Sequence, residues 1–166
     1  MTIHELNEYL ASLADEIIED AAHIVAETAT SHFKQTFTEK AFDGNPWAPS
    51  RMPKHTGSLL IDKGALVNSI RPAYVSRERV VISAGNDQVP YAQIHNEGGM
   101  MEITPKMRRF FWAKFHDTKD EKWRSLALSR RPITVPKRQF MGDSQSLNDE
   151  IHERLEGYTQ AILNSK

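Results

Sequence analysis

The side chains with chemistry to offer are seven histidines, several paired carboxylates and a few hydroxyls. A zinc or non-haem iron site needs spacings such as His-x-x-x-His or His-Glu-x-x-His, which set the ligands on one helix face. No such pair occurs, and His95 with Glu97 comes nearest. At a turn, the His95 ring is expected to bond nearby backbone instead of a metal. Asp62, Ser69 and His95 have the types of a nucleophilic triad. Yet Asn68-Ser69-Ile70 carries no Gly-x-Ser-x-Gly elbow, so Ser69 reads as a local hydrogen-bonding residue. Asp15-Glu16 and Glu19-Asp20 fall on the polar face of a helix, where solvated charge is the ordinary use. Gly98-Gly99 has no following Gly-Lys-Ser/Thr, which excludes a P-loop and leaves a dinucleotide site unsupported. The chain has no cysteine, which excludes disulfides, thiolate zinc sites and thiol catalysis together. No catalytic residue, cofactor or metal ligand is assigned.

Charge is unevenly distributed behind a net value of −1. Residues 1–43 carry two Lys/Arg against nine Asp/Glu, residues 105–140 eleven against three, and the last 26 residues two against five. An acidic surface and a basic one could therefore meet, within a subunit or between neighbours. Alternatively, Arg108, Arg109, Lys114, Arg130, Arg131 and Lys137 could face nucleic acid, with Phe110 to Phe115 stacking on bases. The helical spacing of those aromatics also fits core packing.

The elements that must position these groups follow from periodicity. Thr2 and Glu5 fit a capping box, and apolar residues recur at Leu6, Leu10, Leu13, Ile17, Ala21, Ile24, Thr28, Phe33 and Phe37. One helix over these residues is about 50 Å long, more than a domain of this size needs for its own core. Part of it is expected to pack on another chain. Residues 43–57, with three prolines, read as a long irregular loop. A short helical turn over 59–70 leads into a hairpin of Ile70–Val75 and Val80–Ala84, in which Pro72 forces an edge or a bulge. Tyr91–Gly99 starts as a turn of helix, Met101–Pro105 reads as a strand, and Lys106–Asp117 as a helix with an aromatic face. An irregular segment to Arg131, a strand over Ile133–Val135, a turn over Pro136–Phe140 and a helix capped near Asp143 or Ser144 complete the chain. The expected fold is α+β: a small, mostly antiparallel sheet with a long N-terminal helix, a middle helix and a C-terminal helix, in one domain over 1–166. No apolar run is long enough to span a bilayer and the first residues lack the build of a signal peptide, so a soluble chain made in a cytoplasm is expected.

Four blocks in order resemble the phage virion morphogenesis family, the Mu G-like and P2 S-like tail-completion proteins. They are Asp43-Gly44-x-Pro46-Trp47, then Leu60-x-Asp62-x-Gly64-x-Leu66-x-x-Ser69-Ile70, then Tyr91-Ala92-x-Ile94-His95-x-x-Gly98-Gly99, and Pro136-x-Arg138-x-Phe140-Met141-Gly142. The resemblance implies a non-enzymatic subunit of a Mu-like phage or prophage that completes the tail where it joins the head. It implies a homo-oligomer, commonly a six-fold ring, with tail-tube or terminator and head-connector proteins as partners, and DNA in the channel. Its place would be the virion, at the head-tail junction or in the tail, without a membrane or a cofactor. The aromatic and basic stretch over about 106–131 departs from the simplest family pattern. Within the blocks, Asp62 could cap a turn of helix, and Gly64 permits a tight approach. Arg138, beside the anchor Phe140, could bind an internal carboxylate or a neighbour's acidic helix.

Overall fold

The computed structural model describes residues 2–50 and 57–165. Its first element, α1 (Ile3–Glu39), is 37 residues long, about 55 Å at 1.5 Å per residue. The expected capping box is present: the Thr2 amide donates to Glu5 (2.7 Å), and the Glu5 amide donates back to the Thr2 hydroxyl (3.3 Å). Lys40 ends the helix in the left-handed conformation, its N–H reaching the Thr36 carbonyl at 2.7 Å.

β1 (Ala41–Phe42) and β2 (Asn45–Pro46) follow as a tight ribbon turning through Asp43 and Gly44, both at positive φ. An Asp-Gly pair suits that turn because both central residues must be left-handed. The loop expected over 43–57 is thus regular at its start, and its residues 51–56 lie outside those described. A short helix, α2 (Ala65–Asn68), leads into the hairpin β3 (Arg71–Val75) and β4 (Val80–Ser83), whose register slips between Pro72 and Tyr74, as the proline requires. Next come α3 (Ala92–Glu97), β5 (Gly99–Met101), α4 (Pro105–Thr118), α5 (Glu121–Leu128), β6 (Ile133–Val135) and α6 (Gln145–Ser165). Among the described residues, the antiparallel strand pairing is divided among three two-stranded ribbons, β1-β2, β3-β4 and β5-β6.

Two expectations need correction. Met101–Pro105 is no strand: β5 closes at Met101, the Thr104 hydroxyl accepts the Met107 N–H at 3.2 Å, and Pro105 opens α4 at the position where its missing N–H costs nothing. The segment before Arg131 is not irregular either. Asp120 caps α5 by accepting the Lys122 N–H at 3.0 Å, and Trp123 stacks on Phe111 with ring centroids 6.0 Å apart. A two-turn helix of this kind is held by its neighbour more than by its own propensity.

The core gathers at the C-terminal half of α1. Ala29, Phe33 and Phe37 meet Phe42, Trp47, Leu66, Ile70, Val89, Ala92, Phe140 and Leu147. Phe37 and Phe140 are each 1% exposed and lie 5.2 Å apart by ring centroid. α6 runs along α1, where Arg154 donates to the Thr28 hydroxyl (2.9 Å) and to Glu27 (3.3 Å). Truncating a fully buried phenylalanine removes its transfer energy and leaves a cavity. Phe140→Ala is therefore expected to lower the unfolding free energy by about 3–5 kcal/mol, read from chemical denaturation. Trp123→Ala should loosen the α4-α5 pair, seen as local loss of amide-exchange protection, with the main unfolding midpoint little changed.

Candidate functional site: the clamped turn and the basic segment

Three of the four sequence blocks converge on the turn after β6. Arg138 is 8% exposed, and its guanidinium donates from Nε to the Ala48 carbonyl (2.9 Å) and from Nη2 to the Pro49 carbonyl (3.2 Å). Its backbone N–H donates to the His95 carbonyl at 2.8 Å. Trp47, buried and edge-on to Phe37 at 5.4 Å, donates its indole N–H to the Gln139 carbonyl at 2.6 Å. Asn96 closes the other side. Its Oδ1 accepts the N–H groups of Phe140 (2.8 Å) and Met141 (3.0 Å), while its Nδ2 donates to the Met141 carbonyl (3.1 Å). One primary amide thus imitates a strand partner for a segment that has none.

Arg138 therefore donates to backbone carbonyls. Burial lowers its pKa from the usual arginine value, a shift that leaves the group charged at neutral pH. Where the sequence suggested an internal carboxylate, the structure supplies the carbonyls of Ala48 and Pro49. His95 also departs from expectation: its Nδ1 is buried with no hydrogen-bond partner among the described residues, and Tyr91 lies edge-on to the ring at 5.7 Å. Burial first, and the Arg138 charge second, hold the His95 pKa below 6.5. Tyr91, His95, Arg138, Lys40 and Asp62 line a cleft of about 600 Å³.

The remaining residues of the blocks are placed as scaffold. Ser69 donates to the Leu66 carbonyl (2.7 Å) and accepts the Gly85 N–H (2.9 Å), tying α2 to the end of β4, which is the local role expected of it. Asp62 does not cap α2, whose cap position is Gly64 at φ 77 with no side-chain bond. A Cβ on Gly98 would sit 2.8 Å from the Lys137 nitrogen, so this glycine is what lets α3 approach the clamped turn. Gly99 begins β5.

A second polar group was not legible in the sequence. The Ser144 hydroxyl donates to Asp43 (2.6 Å) and accepts the Leu147 N–H (3.1 Å) as the cap of α6, and Ser146 also donates to Asp43. These bonds hold the Asp43 pKa below 3.8. His32 stands between Ser144 (3.4 Å) and Glu150 (3.1 Å), a serine-histidine-carboxylate order. Ser144 is 2% exposed with its proton directed to Asp43, so its bonds tie α6 to the β1-β2 turn. Among the described residues, no three His, Asp or Glu side chains gather as metal ligands, and no helix is long and apolar enough to cross a membrane.

Of the basic residues singled out in the sequence, Arg108, Arg109 and Lys114 lie on α4, Arg130 and Arg131 in the link between α5 and β6, and Lys137 just after β6. Arg109, Arg130, Arg131 and Lys137 are exposed and Lys114 is half-buried. Arg108 is half-buried and donates to the Ala127 carbonyl (2.7 Å), so it serves the α4-α5 contact and not an open basic surface. Phe111 is buried, whereas Phe110 and Trp112 are exposed, which divides the aromatic run between packing and surface.

A small α+β protein with its core at one end of a long helix, and a turn tied by arginine, tryptophan and asparagine, is the class defined here. The sequence model of the phage virion morphogenesis family matches residues 2–160, and the chain belongs to that family. No curated protein and no solved structure matches it.

Two outcomes follow from the clamp. Asn96→Ala strips two N–H donors and one carbonyl of their partner and is expected to destabilise by about 2–4 kcal/mol in equilibrium unfolding. Because the folded His95 pKa is lowered, the unfolded ring takes up its proton first as pH falls through about 6.5. Stability therefore declines as pH falls from that value toward the lower folded pKa. His95→Gln should remove that component, so the wild type's stability relative to the variant shrinks on acidification, measured by denaturation from pH 8 to about pH 5.

Proposed function

We propose that this chain is a non-enzymatic structural subunit of a phage or prophage virion, acting in tail completion and head-tail joining as a ring-forming homo-oligomer. The family match over residues 2–160 carries the reading. It is supported by a fold whose polar clusters are engaged in holding turns and helix ends, and whose first helix extends well past its core. The tail tube or terminator on one side and the head connector on the other are the proposed partners, with DNA passing through the ring. The exposed Arg109, Arg130, Arg131 and Lys137 favour a second reading, contact with nucleic acid.

Inactivating the gene in an inducible phage or prophage is expected to yield separate heads and tails under the electron microscope, with infectivity restored by a plasmid copy. Mass spectrometry should find the chain in complete particles. Joined, infectious particles without the chain would overturn the reading. For the second reading, duplex DNA affinity should fall steeply as salt rises, and a flat salt profile would remove it.

A further inference from the structure

α1 outruns the fold built on it. Every described side chain from Thr2 to Ser12 is exposed, Leu13 and Ile17 are half-buried, and Ala22 is the first buried residue. Ile3 is 81% and Leu10 is 52% exposed, in line with Leu13, Ile17, Ala21 and Ile24 at helical spacing. The stripe that packs into the fold further along therefore continues uncovered for about three turns.

This end of the helix is also acidic. Residues 3–33 hold seven Asp/Glu and no Lys/Arg. Asp15 and Glu19 pair with Arg77 at the hairpin tip, Asp20 accepts from Tyr158, and Glu27 pairs with Arg154. Glu8 meets only His4 on its own helix, and Glu16 has no Lys or Arg partner among the described residues.

The opposite surface is on the same chain. Residues 105–131 hold nine Lys/Arg and three Asp/Glu. Arg108, Lys122 and Arg124 are engaged inside the α4-α5 pair, by Ala127, Asp120 and Glu121 respectively. Lys106, Arg109, Lys119, Arg130 and Arg131 are exposed with no carboxylate partner among the described residues. Beside them Phe110 (50%), Trp112 (37%) and Leu128 (59%) are exposed. No ion pair joins α1 to α4 or α5 within the subunit, among the described residues.

We propose that the projecting turns of α1 dock on the exposed aromatic and basic face of the α4-α5 pair of a second copy of this chain. Apolar stripe meets apolar face, and acidic flank meets basic flank. Two first helices side by side would set like charges against each other, which disfavours pairing of α1 with itself. Because the two surfaces differ, the contact is head-to-tail, and repetition closes a ring or extends a filament. The inference rests on the self-assembly in the reading above and names the surfaces that carry it.

The natural absence of cysteine makes single-cysteine variants clean probes. Full-length Leu10→Cys and Trp112→Cys, one carrying a size tag, should give a mixed crosslink with a short bismaleimide in clear excess over either variant alone. In sedimentation, Glu8→Lys with Glu16→Lys, and separately Lys106→Glu with Arg109→Glu, should each weaken association by about tenfold or more. Mixing the two reversed variants should restore association, since the reversed helix then meets the reversed α4-α5 face and the native helix the native one. All four positions are exposed, so circular dichroism and the unfolding midpoint should be unchanged. A wild type monomeric at its highest soluble concentration, oligomers indifferent to both reversals, or Leu10→Cys linking mainly to itself would each overturn the proposal. So would salt-sensitive DNA binding through Lys106 and Arg109 without self-association. Oligomers that survive the reversals remove this interface and leave the head-tail role standing, whereas particles complete without the chain remove the role itself.

Discussion

The turn from Pro136 to Met141 has no sheet or helix to satisfy its backbone, and the rest of the core depends on how that problem is solved. Arg138 reaches across to the Ala48 and Pro49 carbonyls, Trp47 returns a bond to Gln139, and Asn96 supplies both a donor and an acceptor to Phe140 and Met141. A guanidinium buried without a counter-charge loses hydration that carbonyl dipoles only partly replace, which is why burial depresses its pKa. The arrangement is tolerable because two directed bonds to carbonyls offset part of that loss. Its return is position: Phe140 is delivered onto Phe37, and the chain emerges where Ser144 can cap α6.

That placement explains the polarity of the molecule. The β1-β2 and β3-β4 ribbons contact α1, the clamp sets Phe140 on its second half, and α6 lies back along it. Among the described residues, Arg77 at the hairpin tip and Tyr158 on α6 bond to the carboxylates between Asp15 and Asp20. The turns before Leu13 have backbone bonds and a capping box, and their described side chains are exposed, so they stand as a lever carrying charge. The α4-α5 pair is the counterpart, a satellite packed chiefly on itself and joined to the body through β5 and β6. Membership of the virion morphogenesis family gives such projecting parts a context, since subunits of an assembly need surfaces that a lone copy does not use.

The sequence by itself determined the elements whose causes are local. The ends of α1 and α6 are written in caps, the β3-β4 hairpin in β-branched residues, and its bulge in Pro72. The four blocks carried the family. Where a local signal had two meanings, the reading went wrong: Thr104-Pro105 resembles a strand end and is a helix start. α5 has only eight residues, too few for periodicity to separate it from a loop, and it exists because Trp123 has Phe111 to stack on.

The tertiary structure alone decided the partners. Every residue owns a carbonyl, so nothing in the order of residues distinguishes those of Ala48 and Pro49 as the ligands of Arg138, some ninety positions away. The same holds for Asn96, ordinary in composition and indispensable in place, and for Ser144, joined to an aspartate on the far side of the chain. Hydrogen bonds to backbone leave no mark in residue type at the accepting end, whereas caps, proline bulges and apolar stripes are properties of residue type itself.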